Sequence, residues 1–377
     1  MKRSLLFPEV KTGCNTPTEG IKYAGSKLKM LPHILSTLAG LPIRRVLDGF
    51  AGTTRVSQAL AQTGFEVISN DVASWSYVFG NCYLLNRKPR CHFQPIIDHL
   101  NSLPGKDGWF TQHYGGTPNG GSAVQADGTK RPWQIHNTRK LDSIRDEIDH
   151  IASDPIEKSV LITSLILALD RVDSTLGHFV SYLKDWSPRS YNTMRLEVPA
   201  VITQTAAHQV LQGDVFSACH CSDFDLAYFD PPYGSNNDKM PPSRVRYASY
   251  YHIWTTICAN DRPALVGKAN RREDCSDCIA SSIFEEFRRD ETGRFIAMNE
   301  LERLITKTRS KFILLSYSSG GRATAEELLA VLESRGRVAK VVQVDYKRNV
   351  MATMRWTHDW VRDTEAQHRE FLFLLEQ

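Results

Sequence analysis

The four residues 230–233, Asp-Pro-Pro-Tyr, follow directly on the largely apolar segment 225–229. That segment has the length and composition of a buried strand. Proline fixes its own φ angle and carries no N–H, so the residues after the strand are stiff and cannot extend a sheet ladder. The pattern predicts a rigid ledge at the end of a strand, which carries the carboxylate of Asp230 and the ring of Tyr233.

A second candidate is the loop that follows the strand pattern 45–48. Gly49 and Gly52 permit a tight turn and a close approach of a ligand to the backbone, and Asp71 follows one βαβ step later, where a carboxylate can accept from ribose hydroxyls. The loop lacks the G-x-G-x-x-G spacing that cradles a pyrophosphate. It therefore favours a nucleoside cofactor without phosphates, although the turn alone also fits a purely structural role.

Two further fragments carry residues of useful chemistry. Residues 22–27, KYAGSK, place Tyr23 and Lys27 before an amphipathic helical pattern, and residues 213–216, GDVF, place an acid and an aromatic ring ahead of the ledge. Taken singly, the first also fits an ordinary helix capped by Ser26, and the second an ordinary turn.

The elements that must position these residues alternate between strands and helices at both ends of the chain. Helical patterns occur at 54–62 and 323–334, and strand patterns occur at 45–48, 66–69, 225–229, 311–316, 338–344 and 371–375. This alternation predicts an α/β domain with a doubly wound, mostly parallel sheet.

The middle of the chain breaks the alternation. Residues 103–134 contain seven glycines and three prolines, which predicts a long loop, and helical patterns follow at 139–152, 155–171 and 174–185. A second irregular stretch is predicted at 261–277. We therefore predict an α/β domain formed by residues 1–85 and 201–377, with a helical insertion at 86–200.

Composition argues against a disordered chain, a membrane-spanning protein and a secreted protein held by disulfides. A chain of 377 residues with 41% hydrophobic residues can bury a large core, and its longest apolar run, 160–169, is too short to span a membrane. Eight scattered cysteines favour the reducing cytoplasm, and the net charge of +4 requires any polyanion site to be a local patch. Cys275 and Cys278 form one C-x-x-C pair, whereas a structural zinc site needs four ligands, so no metal is expected.

In their order along the chain, five motifs resemble those of the Dam-like family of adenine-N6-specific DNA methyltransferases. They are KYAGSK at 22–27, DGFAG at 48–52, ND at 70–71, GDVF at 213–216 and DPPY at 230–233. Segments 249–257 and 313–321 look like the family's downstream motifs, and the middle of the chain matches only in placement. DPPY by itself also occurs in enzymes that resemble ribosomal-RNA methylases. Thr54 departs from the family, because many members have a second glycine there.

The resemblance implies a Rossmann-like class I methyltransferase fold with a helical target-recognition insertion. It also implies transfer of a methyl group from S-adenosylmethionine to the N6 amino group of a flipped-out adenine at a specific site in double-stranded DNA. The setting would be restriction-modification in the cytoplasm, with a separately encoded endonuclease as a possible partner. Two alternatives stay open, namely an RNA base methyltransferase and a catalytically silent module that binds S-adenosylmethionine or DNA.

The resemblance also assigns roles to individual residues. Asp230 and the Pro231 carbonyl would accept hydrogen bonds from the target amine, Pro232 would stiffen the ledge, and Tyr233 would stack on the extruded base. The cofactor would be held by the following residues: Tyr23, Lys27, Asp48, Phe50, Gly52, Asp71, Asp214 and Phe216.

DNA contacts are expected where cations alternate with aromatic rings in the insertion and just beyond the ledge. Such a pattern suits phosphate contacts with some reading of base edges, although a solvated charged surface is the alternative. The candidates are Lys130, Arg131, Arg139, Arg189, Arg195, Arg244 and Arg246.

Overall fold

A computed structural model describes residues 17–201, 206–221, 223–234, 247–275, 282–346 and 368–377. At its centre lies a seven-stranded sheet with the order β3-β2-β1-β4-β5-β7-β6. The strands are β1 (Arg45–Asp48), β2 (Glu66–Asp71), β3 (Gln209–Gln212), β4 (Leu226–Phe229), β5 (Phe312–Ser318), β6 (Arg337–Tyr346) and β7 (His368–Glu376).

The sheet is doubly wound, as the sequence predicts. β1 pairs in parallel with β2 on one side and with β4 on the other, and the pairs β2-β3 and β4-β5 are also parallel. β7 runs antiparallel to both of its neighbours, β5 and β6. The central strands are buried on both faces, which is why they read as apolar runs without polar alternation. Chain order reverses between β1 and β4, so a crevice is expected at the carboxyl ends of these two strands.

Helices cover both faces of the sheet and build the middle of the chain. The α-helices are α1 (Leu31–Leu38), α2 (Arg55–Gln62), α3 (Ser74–Gly80), α4 (Arg90–Ser102), α5 (Trp109–Tyr114), α6 (Ile135–Ile151), α7 (Pro155–Arg171), α8 (Val215–Cys221), α9 (Tyr247–Tyr250), α10 (His252–Ala259), α11 (Ile296–Lys307) and α12 (Ala325–Glu333). A π-helical turn spans Asn81–Leu85, and 3₁₀ turns span Pro188–Tyr191, Glu273–Cys275 and Ile283–Glu285. Short two-strand ribbons pair Gly115–Gly116 with Trp133–Gln134, and Leu265–Val266 with Arg271–Arg272.

One hydrophobic core holds α3 to α7 together, and it includes α10 from beyond the ledge. Phe93, Ile144, Leu165 and Trp254 are all fully buried in it. The predicted insertion boundaries at 86 and 200 stay a prediction. The shared core joins residues 247–259 to α3 to α7, and these elements together are called the helical body. Residues 160–169 lie inside the buried helix α7, as expected, and no helix in the described part of the chain is both long and apolar enough to cross a bilayer.

For the middle of the chain, one prediction is wrong and one is right only in part. Residues 174–185 do not form a helix: Gly177 adopts φ +93°, and the Phe179 N–H donates to the carbonyl of Tyr250 rather than to the preceding turn. The predicted loop 103–134 contains α5, whose first turn is capped from a distance. There the Asp142 carboxylate accepts from the N–H groups of Phe110 and Thr111 at 2.9 and 2.8 Å.

Candidate active site

A cavity of about 320 Å³ lies at the carboxyl ends of β1, β2 and β4. It brings together the ledge, the loop after β1 and the acid at the end of β2. Of the predicted cofactor and catalytic residues, the following line it: Tyr23, Lys27, Asp48, Phe50, Gly52, Asp71, Asp214, Asp230, Pro231, Pro232 and Tyr233. The parallel sheet explains this convergence, because the ends of neighbouring strands meet at one edge.

Asp230 follows β4 directly and keeps 16% of its side chain exposed. Its Oδ1 accepts a hydrogen bond from the Tyr233 hydroxyl and lies 3.1 Å from the Lys27 Nζ. Burial raises the pKa of Asp230 to about 6, although the Lys27 ammonium acts in the opposite direction. The carboxylate is therefore an ionised hydrogen-bond acceptor at neutral pH.

Lys27 is the cation next to Asp230, and its side chain is only 6% exposed. Besides Asp230, its Nζ lies 3.4 Å from Glu370 Oε2 and 4.7 Å from the centre of the Tyr233 ring. Burial lowers the pKa of Lys27, but the two carboxylates outweigh burial and raise it above the usual value. Lys27 thus stays charged and is committed to the ledge, and its predicted role at the methionine end of the cofactor stays a prediction.

Glu370, which the sequence analysis missed, is the second carboxylate at the ledge. It lies on β7, and its Oε2 is 3.4 Å from the Tyr233 hydroxyl. The side chain is 13% exposed. The only signal in the sequence is an acid directly before the apolar run 371–375, 140 residues away from Asp230. Its proximity depends on β7 pairing beside β5, which periodicity does not reveal.

Asp48, at the end of β1, carries a buried oxygen that lacks a partner. Its Oδ2 accepts from the Ser57 hydroxyl at 2.6 Å, whereas Oδ1 has no hydrogen-bond partner among the described residues. Burial raises the pKa of Asp48 to about 7. Because buried polar atoms are almost always paired, an unpartnered acceptor that lines a cavity indicates a ligand with a donor group.

The loop after β1 requires glycine at close contacts. A Cβ at Gly49 would lie 2.8 Å from the Phe229 ring, and Gly52 has φ +48° with Tyr23 beside it. Thr54 has φ +60°, a left-handed conformation that favours glycine over a β-branched residue. Its hydroxyl donates to the Thr53 carbonyl at 2.7 Å and accepts from the Gln58 side chain at 3.1 Å.

The Asn-Asp pair at the end of β2 ties neighbouring loops together. The Asn70 side-chain amide donates to the carbonyls of Gly49 and Gly213, both at 3.2 Å. Asp71 accepts from the N–H of Gly52 at 2.8 Å and from that of Ala73 at 2.9 Å, one bond on each oxygen. Each carboxylate oxygen can accept a further bond, so Asp71 can hold the loop and still accept from a ligand hydroxyl.

An aromatic cluster forms the other end of the cavity. The ring of Phe284 lies edge-on to that of Phe50 at 5.1 Å and stacks with that of Phe216 at 6.1 Å between centres. Asp214 accepts from the Phe216 N–H at 2.6 Å. Phe216 packs behind Phe284 rather than lining the cavity. Sequence reasoning missed Phe284, which lies in the 3₁₀ turn held by a capping box between Ser282 and Glu285.

Tyr23 belongs to an aromatic wall that joins the cavity to the helical body. Its ring stacks on Tyr251 at 4.8 Å and also contacts Tyr247 and Trp75. The Tyr251 hydroxyl accepts from the Ala24 N–H at 2.7 Å. These contacts fix the position of the segment before α1 against α9 and α10.

The five predicted DNA-binding cations that the structure describes fall into two groups. Three of them are held in ion pairs within the protein: Arg131 with Asp127 at 3.1 Å, Arg139 with Asp107 at 2.7 Å, and Arg189 with Asp173 at 2.8 Å. Arg195 is exposed and Lys130 is half-buried, and the structure gives neither an ion pair within the described residues. Arg244 and Arg246 lie outside the described residues.

Cys275 is buried, and its thiol donates to the Arg272 carbonyl at 3.0 Å. Cys278 lies outside the described residues. Within the part of the chain that the structure describes, no three His, Cys, Asp or Glu side chains are grouped as metal ligands.

Comparison with known proteins gives a family match and several similarities that extend over most of this chain. Residues 23–281 match the family described as D12 class N6 adenine-specific DNA methyltransferase. Type II methyltransferase M.NlaIII of Neisseria lactamica is 25% identical over 339 residues, covering 87% of this chain and 92% of the relative. Type II methyltransferase M.CviAII of Paramecium bursaria Chlorella virus 1 is 25% identical over 343 residues, with coverages of 87% and 92%. Modification methylase StsI of Streptococcus sanguinis is 26% identical over 351 residues, 87% of this chain, and this chain spans about half (48%) of that relative.

Proposed function

The chain belongs to the D12 class of N6 adenine-specific DNA methyltransferases, and from this premise we propose that S-adenosylmethionine is its methyl donor and a flipped-out adenine its target. The observation that carries the proposal is that one and the same cavity places Asp230 and Tyr233 beside the loop after β1 and the unpartnered oxygen of Asp48. The proposed site for the methyl donor and the proposed site for the target base therefore lie next to each other in one cavity.

The residues present fit this cofactor. S-adenosylmethionine offers an ammonium group, ribose hydroxyls and an adenine ring, and its sulfonium supplies an activated methyl group when bound. Asp48 would accept from the ammonium group and Asp71 from the ribose. Phe50 and Phe284 offer faces and edges to the adenine ring, with Asp214 as an acceptor for its amino group.

The ledge provides what the target amine needs. The N6 lone pair of adenine is delocalised into the ring, and two acceptors on its hydrogens draw electron density back toward the nitrogen. Asp230 supplies one acceptor and the Pro231 carbonyl the other. The two prolines hold both in place, which is the preorganisation that makes polar catalysis effective.

Tyr233 is the proposed stacking surface for the extruded base. An enzyme that modifies a base atom inside a duplex must take the base out of the stack, and an aromatic ring can hold it there. In this structure the centre of the Tyr233 ring lies 4.6 Å from the centre of the Tyr317 ring and 4.7 Å from the Lys27 Nζ. The ring therefore becomes available to the base when Lys27 moves.

We place DNA recognition in the helical insertion at residues 86–200, and we assign the enzyme to a restriction-modification system with a separately encoded endonuclease. The second assignment is supported by relatives named type II methyltransferases, of which M.NlaIII and M.CviAII each align over 92% of their length. Sequence specificity would come from base contacts, whereas phosphate contacts fix register.

The function is tested by incubating purified protein with isotopically labelled S-adenosylmethionine and duplex DNA, then mapping modified adenines by sequencing. We expect N6-methyladenine at one short sequence and no label in RNA. Label in RNA alone would favour an RNA base methyltransferase. Cofactor binding without label in any DNA would favour a silent binding module.

Among the predicted DNA-binding residues, Lys130 and Arg195 are expected to matter more than Arg139, because Asp107 already neutralises Arg139. The double variant Lys130→Ala/Arg195→Ala should weaken binding to all DNA sequences. It should also reduce the slope of log K against log salt by about 0.9 for each phosphate that the variant no longer neutralises. Fluorescence anisotropy at several salt concentrations measures both.

Arg139→Ala is the matched control and should leave the salt slope near that of the wild type. An unchanged slope in the double variant would place the phosphate-binding residues elsewhere, with the segment just beyond the ledge as the next candidate.

A further inference from the structure

Two carboxylates at the ledge share one cation and one hydroxyl. Lys27 Nζ lies 3.1 Å from Asp230 Oδ1 and 3.4 Å from Glu370 Oε2. The Tyr233 hydroxyl donates to Asp230 and lies 3.4 Å from the same oxygen of Glu370. Asp230 and Glu370 come from different strands, so their meeting is a product of the sheet order and not of local sequence.

This arrangement occupies the groups that the reaction needs. The proposed function requires Asp230 to accept from the target amine, yet its Oδ1 is engaged by Lys27 and by Tyr233. Lys27 also lies over the ring that would stack on the base. For the base to stack on this ring, the ammonium must leave it, and for the amine to bond to Oδ1, both donors must leave that oxygen.

A buried ammonium cannot simply be released. Lys27 is 6% exposed, and a buried charge without a partner is strongly unfavourable. Glu370 lies within reach of both groups that must move, and no rearrangement of the sheet is required. A second carboxylate is thus already in place to receive them.

We infer that Glu370 is a positioning residue, which receives Lys27 and the Tyr233 hydroxyl when Asp230 turns to the target amine. The inference rests on the proposed function, because it assumes that Asp230 binds the amine. Glu370 itself would not touch the substrate. Its effect would be to make the open state of the ledge accessible.

The charges around Asp230 determine how the pH profile should respond. The Glu370 carboxylate raises the pKa of Asp230 by repulsion, while Lys27 and the Tyr233 hydroxyl lower it. Removing the Glu370 charge should therefore lower the pKa of Asp230. Among the described residues, the other titratable groups that interact with Asp230 are Tyr23 before α1, Asp48 on β1, Tyr228 on β4 and Tyr247 on α9.

The test compares Glu370→Gln with Glu376→Gln, which removes an acid from the far end of the same strand, where it pairs with Arg337. The rate of methyl transfer is measured as kcat/KM for DNA against pH, at saturating S-adenosylmethionine. For Glu370→Gln we expect a plateau lowered about tenfold and an acid limb shifted to lower pH by about 0.5 or more. Cofactor affinity and thermal stability should stay near those of Glu376→Gln, whose profile should match the wild type.

Glu370→Asp separates positioning from charge and serves if the Gln variant is unstable. It keeps the negative charge but shortens the reach, so its plateau should fall while its acid limb stays at the wild-type position. A Glu370→Gln plateau within twofold of the wild type, or a lower plateau with an unmoved acid limb, would overturn the inference. Asp230→Ala distinguishes failure of the proposed function from failure of the inference about Glu370. If that variant is fully active, the proposed function fails; if it is inactive, only the role of Glu370 is in question.

Discussion

Replacing Asp230 with Ala is expected to lower the rate of methyl transfer at least about 100-fold, as the loss of one preorganised polar group does in other enzymes. The variant removes one of the two acceptors for the target amine and leaves the cavity around Asp48 and Asp71 intact. Binding of S-adenosylmethionine should therefore survive. Single-turnover methylation and calorimetric cofactor binding measure the two effects separately.

Asp223→Ala is the matched control, because Asp223 is exposed and lies just before the opposite end of β4. It should keep wild-type turnover. In the wild type, the rate should fall as pH drops through about 6, where Asp230 becomes protonated and stops accepting. Near-normal turnover of Asp230→Ala would contradict the role of the ledge.

The ledge and the cofactor loop could be predicted because each is encoded within a few consecutive residues. Two prolines after a buried strand restrict the backbone whatever surrounds them, and Gly49 and Gly52 mark a turn with close contacts. That these segments meet also follows from a general rule, because a doubly wound sheet gathers the ends of its central strands at the point where chain order reverses. Local chemistry and topology together were sufficient for most of the cavity.

The features that were missed depend on contacts between residues far apart in sequence. α5 is short and begins without a local cap, and its first turn is held by Asp142 from 31 and 32 residues away. Residues 174–185 have a helical pattern, but the Phe179 N–H bonds to the carbonyl of Tyr250. Glu370 and Phe284 enter the site from segments whose own patterns indicate only a strand and a turn. Periodicity reports which face of an element is apolar, and not which partner it meets.

The same distinction sorts the predicted DNA-binding residues. Lys130, Arg131, Arg139, Arg189 and Arg195 are equivalent in the sequence, where each is a cation near aromatic residues. The fold separates them, because Arg139 meets Asp107 from 32 residues away and Arg189 meets the buried carboxylate of Asp173. A cation that already has an acidic partner must give it up to bind a phosphate. The remaining cations therefore have more to contribute to binding.

Asp48→Asn is expected to weaken S-adenosylmethionine binding at least about tenfold, while leaving the unliganded protein as stable as the wild type or more so. The buried carboxylate has a pKa raised to about 7 by burial, so its ionised form is disfavoured in the folded state. The contribution of protonated Asp48 to the free energy of unfolding is fully present below the pKa of an exposed aspartate, and it is lost as pH rises through about 7. At pH 8 that loss is on the order of 4 kcal/mol, and a neutral asparagine, which can still accept from Ser57, avoids most of it.

Binding of the cofactor should shift Asp48 from its protonated to its ionised form, because an ammonium donor at the unpartnered Oδ1 favours the ionised carboxylate. In the wild type, cofactor affinity should thus decrease by up to about tenfold per pH unit below pH 7, since binding then requires Asp48 to lose its proton. Calorimetric titrations from pH 5.5 to 8.5, with thermal unfolding at each pH, test both parts. Asp98→Asn is the control, because that carboxylate is exposed on α4 and bonds only to Gln94 among the described residues. If Asp48→Asn keeps the affinity and pH dependence of the wild type, the buried oxygen does not face the cofactor, since a group that binds a cation through its charge cannot be neutralised without a loss of affinity.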